Sequence, residues 1–194
     1  EMSASLVGSE MCIRDREYYA PLKKIKDTDN VTLYDYNLAL DLYYYTSTWK
    51  EQKKILKKSD LELFMRDRGS KIDLLNIQWI YRAKKYYNMK PADIYLMLIP
   101  IHYKLSTELV KDMVEAPGVE EFENVVIRTT YARHYNFKQN LTMEQMYADC
   151  LHHLYTADRR KNPYSVSAIN TYLFLKEEEL KKLTTVMELS LIHI

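Results

Sequence analysis

The sequence predicts an all-α protein built from multi-helix bundle units that repeat pseudo-symmetrically. Three observations carry that expectation. Turn-forming residues are scarce, with 3 Gly and 5 Pro in 194 residues, far below the usage that sandwiches, Rossmann folds or disordered tails require. Polar capping pairs recur, each followed by apolar residues at helical 3–4 spacing. A second aromatic-rich helix followed by an Asn-bearing helix echoes a first such pair further up the chain.

The first strong helix is expected over about Thr32–Lys58. Thr32 with Asp35 caps it, and Leu38, Leu42, Tyr45 and Trp49 mark one face. The run Tyr43-Tyr44-Tyr45 puts rings on most sides, which predicts a crowded neighbourhood. A second helix near Leu61–Arg68 is expected to stop at Gly69. Ser70 and Asp73 then read as the cap of a third, to about Tyr87, with Ile72, Leu75, Trp79 and Ile80 on one face. Pro91 suits the first position of the next helix, and Pro100 ends it. Ser106 caps a helix to about Glu115, and Pro117-Gly118 is the clearest joint. A helix over Val119–Thr129 follows, and 128–140 reads as a loop. Thr142 with Gln145 opens a helix to about Arg160, and Pro163 starts a long last one. The longest apolar run, Ile94–Ile101, is too short to span a bilayer.

The two ends read as foreign to the fold. Residues 6–16, LVGSEMCIRDR, look like an in-frame translation of a transposon-based sequencing adapter, and 189–194, LSLIHI, like its reverse complement. Segments 1–16 and 189–194 are therefore expected to be adapter-derived tails around a genuine 17–188. With Cys12 and His193 set aside, Cys150 is the one cysteine left, beside His102, His134, His152 and His153. A single thiol forms no internal disulfide. Lys and Arg number 28 against 27 Asp and Glu, a balance that argues against a dedicated nucleic-acid binder.

The repeat sets LYDYNLALDLYYY from Leu33 beside LTMEQMYADCLHH from Leu141, pairing Leu38 with Met146 and Asp41 with Asp149. Downstream, Ile72 matches Val166, Asn76 matches Asn170 and Arg82 matches Lys176. The expected units are 17–115, partial at its N-terminal side, and 116–188.

Few residues suggest chemistry. Asp149, Cys150 and His153 share a helical face at ligand spacing, with His152 beside them. No HExxH or CxxC accompanies them, and packing is the favoured reading. Asn76 and Asn170 are amides in apolar helices, read as satisfying neighbouring backbone groups. Arg82 to Lys85 and Asp158 to Lys161 are short charged, largely basic runs near helix C-termini, where they complement the dipole. There is no P-loop, phosphate cradle or nucleophile elbow. No catalytic, cofactor-binding or metal residue is assigned.

Three longer stretches are more specific. DYNLALDLYYYTSTWK (Asp35–Lys50), IDLLNIQWIYRAKKYYNMKPADIYLMLIPIHYKLS (Ile72–Ser106) and NPYSVSAINTYLFLKEEELKKLTTVME (Asn162–Glu188) resemble the C-type subunit, also called the d-type, of bacterial V-type ATPases and ATP synthases. The resemblance covers essentially all of 17–188, of a family whose members are longer at both ends. It implies an all-α funnel of three similar units, of which two are present here. It further implies a non-catalytic socket on the cytoplasmic face of the membrane, with no membrane span, no cofactor and no nucleic-acid partner. Its expected partners are the membrane rotor (proteolipid) ring and the central-stalk subunits, and it would couple ATP hydrolysis or synthesis to proton or sodium transport. The alternative is a helical repeat scaffold that binds peptide or RNA.

Overall fold

The computed structural model describes residues 17–26, 31–134, 142–161 and 163–192, apart from the side chains of 26, 133, 134, 158–161 and 190–192. Among the described residues the chain is all-α, with no strand. Eight α-helices follow in order: α1 Tyr19–Lys26, α2 Leu33–Ile55, α3 Lys58–Lys85, α4 Pro91–Met97, α5 Thr107–Glu115, α6 Val119–Ile127, α7 Met143–Lys161 and α8 Val166–Ile192. A 3-10 turn, Tyr131–His134, lies between α6 and α7. None of the described helices is long and apolar enough to cross a membrane. Segment 1–16 lies outside the described residues, and α8 takes in 189–192.

Side-chain caps explain where three of the helices begin. Asp35 accepts from the Thr32 N–H at 2.8 Å and from its hydroxyl at 2.7 Å, closing the start of α2. Ser106 accepts from the Leu109 N–H at 3.2 Å at the head of α5. Thr142 and Gln145 form a reciprocal box before α7, with bonds of 2.9 and 3.3 Å. Each box satisfies backbone N–H groups that have no partner inside the helix. Pro91 stands first in α4, where its missing N–H costs nothing.

One boundary differs from the sequence reading. The chain does not stop at Gly69 and restart behind a Ser70–Asp73 cap; α3 runs unbroken for 28 residues. An interior glycine weakens a helix by only about 1 kcal/mol against alanine, and packing around this one outweighs that. The segment read as a loop holds the 3-10 turn, whose Tyr131 is buried; 135–141 lies outside the described residues.

The chain groups into two compact units, Glu1–Ile55 with Ala92–Pro100, and Leu56–Pro91 with Ile101–Ile194. These groups follow compactness, whereas the 17–115 and 116–188 division follows the repeat. In the first unit α1 packs on α2, with the Tyr18 and Tyr43 rings edge-on at 5.3 Å. No residue of α2 is fully buried. In the second, α3 is the axis, packed by α5, α6, α7 and α8. Ile72, Ile77, Ile80, Met113, Val114, Phe122, Val126 and Met146 form its core. Fully burying such a side chain stabilises by roughly 1.5–3 kcal/mol. Tyr155 of α7 stacks on Phe174 of α8 at 4.7 Å.

Candidate functional site

Asp73 sits on the same stripe of α3 as Ile77 and Ile80, and its side chain is fully buried. A buried carboxylate is costly unless every oxygen is satisfied. Here Oδ1 accepts the Tyr103 N–H at 3.0 Å, and Oδ2 accepts the Lys104 and Leu105 N–H groups at 2.7 and 3.2 Å. The Tyr131 hydroxyl donates to Oδ2 at 2.7 Å. These charge-assisted bonds collect three successive donors from the bent segment that precedes α5. One side chain thereby fastens α3 to residues 103–105 and to the 3-10 turn after α6.

Gly69 lies one turn before Asp73 and makes that docking sterically possible. A Cβ placed there would come within 2.6 Å of Tyr103 Cγ and 2.7 Å of its Cβ. The glycine is a close-approach position rather than a helix stop. Burial, and secondarily the Asp73 charge, raise the Tyr131 pKa far above that of an ordinary phenol. Tyr131 is thus a fixed hydrogen-bond donor at any physiological pH.

Beside this hub is a cavity of 110 Å³, whose lining includes Ser70, Leu74, Tyr131, Cys150 and His153. The Cys150 thiol donates to the Tyr131 carbonyl at 3.8 Å. Burial, then the Asp149 charge, push its pKa up to about 11. A thiol so held is protonated at neutral pH and is a poor nucleophile. The Ser70 hydroxyl is buried close to the Tyr131 phenol without completing a hydrogen bond.

The residues singled out in the sequence separate. Cys150 is buried, whereas Asp149, His152 and His153 are exposed, and among the described residues no three metal-capable side chains converge. Asn76 is fully buried in α3, while Asn170 is half-buried in α8. The first basic run divides its labour. Arg82 pairs with Glu144 at 3.5 Å, and Lys85 donates to the Tyr81 hydroxyl and lies over the Tyr86 ring. Lys84 donates to the carbonyls of Val114 and Ala116 at 2.7 and 2.6 Å, closing the C-terminus of α5. The side chains of Asp158 to Lys161 and of His134 lie outside the described residues.

Sequence reasoning missed the buried role of Asp73, the donor Tyr131 and the role of Lys84. The available signal was Asp73 itself, an acid at the position of an apolar stripe where a solvent-facing residue has no place.

The hub, the protonated thiol and the capped helix end all turn polar groups inward, toward the fold's own backbone. A family model described as ATP synthase (C/AC39) subunit matches residues 9–190. The chain belongs to that family. No curated protein and no solved structure matches it. The C/AC39 family is a subunit of V-type ATPases and is not itself catalytic. Ion transport and rotary motion belong to the complex in which a C/AC39 subunit works.

Proposed function

We propose that this C/AC39 subunit is a non-catalytic part of the central rotor, a socket between the central stalk and the membrane proteolipid ring. In this role it sits peripherally on the cytoplasmic face and couples ATP hydrolysis or synthesis to proton or sodium movement. The observation that carries the reading is how the buried polar groups are used. Asp73 spends both oxygens on residues 103–105 and Tyr131, and Lys84 spends its ammonium on two carbonyls of α5. Such bonds stiffen a helical body, and a part that transmits torque must not yield under load.

The test is reconstitution with the proteolipid ring and the central-stalk subunits of the same complex. The chain is expected to bind both, and complexes lacking it are expected to hydrolyse ATP without moving ions. Failure to bind either partner, or full ion transport without the chain, would reject the socket role. Hydrogen exchange supplies a second arm: amides of α3 around Asp73 should exchange only on global unfolding.

A further inference from the structure

The stretch from Leu42 to Ser59 holds five lysines, Lys50, Lys53, Lys54, Lys57 and Lys58, against one acid, Glu51, and no arginine. The whole chain is balanced at +1, so this is a local concentration of charge. All five lysines are exposed, and among the described residues none of them forms an ion pair. The basic run on α3 differs, because Arg82, Lys84 and Lys85 are each bonded within the fold.

Helix electrostatics accounts for only part of this stretch. Lys53 and Lys54 stand in the last turn of α2, where cations complement the dipole. Lys57 and Lys58 are the N-cap and first residue of α3, where cations are unfavourable, and the Lys57 side chain makes no capping bond. Two apolar groups accompany the lysines. Ile55, the last residue of α2, is 66% exposed, and the Lys53 ammonium lies 5.2 Å from the ring centre of half-buried Trp49. At 100° per residue Trp49, Lys50, Lys53 and Lys54 fall within an arc of about 140°, with Glu51 outside it.

A layer of anionic headgroups fits this composition better than a protein or a nucleic acid does. Protein interfaces and phosphate sites favour arginine, whose planar fork pairs in two places, and protein interfaces are depleted in lysine. A headgroup layer attracts compact point charges with no fixed geometry. It also takes up tryptophan and aliphatic side chains at its boundary.

We propose that residues 49–58 attach the chain to the surface of an anionic phospholipid bilayer, with the lysines against the headgroups and Ile55 at the acyl boundary. The inference stands apart from the socket reading, since it asks nothing of ring or stalk.

Co-sedimentation of the full 194-residue chain with vesicles tests it. Vesicles rich in phosphatidylserine should carry the chain down at about 0.1 M salt and release it at about 1 M, where charges are screened within about 3 Å. Pure phosphatidylcholine vesicles should not bind it. Lys53→Gln with Lys54→Gln should weaken binding about 25-fold, roughly fivefold per lysine, with unchanged helical circular dichroism. Ile55→Ser should weaken it less and leave binding that is more sensitive to salt. Lys181→Gln with Lys182→Gln removes the same charge from α8 and should leave binding where it was. Absent binding, or equal binding to both vesicle types, would overturn the proposal, whether or not the same lysines then hold an acidic protein or RNA. So would an equal loss from the α8 pair, which marks net charge and not this stretch.

Discussion

Helices α3 and α8 are nearly equal in length, 28 and 27 residues, and both carry apolar side chains on more than one side. On α3 twelve residues are buried, including Asp67, Asp73 and Asn76. On α8 only Ser167, Thr171 and Phe174 are, among its described side chains, all in its first three turns. The difference lies in their neighbours: α3 is packed by α5, α6, α7 and α8, while α8 leans on α7 and α3. A helix apolar on several sides is therefore a statement about how many partners it needs. In α3 those partners are present, and the interior they create is dry enough for one carboxylate to organise it. In α8 the acids stay in water, and the pairs Lys176–Glu179 and Lys181–Glu177 are exposed on both sides.

The sharpest way to break this contrast is to remove one acid from each helix. Asp73→Ala leaves three backbone N–H groups and the Tyr131 hydroxyl without their acceptor, and a loss of about 3–5 kcal/mol is expected. Urea unfolding measures it, with the slope unchanged if the fold survives. Asp73→Asn should fall between, because its one carbonyl oxygen can still accept while its amide faces donors. Glu179→Ala on α8 should leave the unfolding midpoint where it was. Equal losses from the two helices would mean that the Asp73 network is not what distinguishes them.

Gly69→Ala comes next, and here two effects oppose each other. Alanine favours a helix interior by about 1 kcal/mol, yet its Cβ would collide with the Tyr103 ring root at 2.6 Å. The clash should win, with a net loss of about 1–3 kcal/mol. Repeating the substitution in a Tyr103→Ala background should reverse the sign and reveal the helix gain. A stabilising effect in the wild-type background would show that residues 103–105 can move off α3 at no cost.

This variant also marks where the sequence was readable and where it was not. Caps at Thr32, Ser106 and Thr142 were legible because each works through residues three apart, and the all-α class followed from them and from the scarcity of glycine. Gly69 was misread because a glycine at a helix end and one beneath an aromatic ring look alike in one dimension. Asp73 was misread for a related reason: its position beside Ser70 imitates a local cap, while its real partners lie 30 or more residues away. On α8 the exposure of Ile169, Leu173 and Leu180 was not legible, because sequence does not show which neighbours a helix face meets. Cys150 and His153 looked like neighbours in chemistry, but one is buried and the other is exposed to solvent.

Lys84 lets the contrast be probed at a helix end. Its ammonium satisfies two carbonyls at the C-terminus of α5, a short helix tied to α3 in this way, whereas α8 packs along one side only. Lys84→Met keeps most of the stem's volume and should cost about 1–3 kcal/mol, with amides of α5 exchanging faster while those of α8 stay unchanged. Uniform acceleration across both helices would point to general loosening instead.

The smallest expected effect is also the most specific, because it appears only in alkali. An unfolded tyrosine begins to lose its proton near pH 10, whereas Tyr131, buried beside the Asp73 charge, keeps it well above that. The unfolded chain then binds fewer protons than the native one, so stability falls as pH rises beyond about 10. Cys150 acts in the same direction from about pH 9, since its folded value is held up to about 11. Tyr131→Phe should cost only about 1 kcal/mol at pH 7, the worth of one hydrogen bond, and should flatten the decline above about pH 10. Cys150→Ala should flatten the part between about 9 and 11. An alkaline slope untouched by either substitution would place the relevant protons elsewhere. Lys176 of α8, raised by its hydrogen bond to Glu179, shifts in the same direction, but that pair stands in water, which screens its share, whereas Tyr131 is held dry by neighbours on several sides.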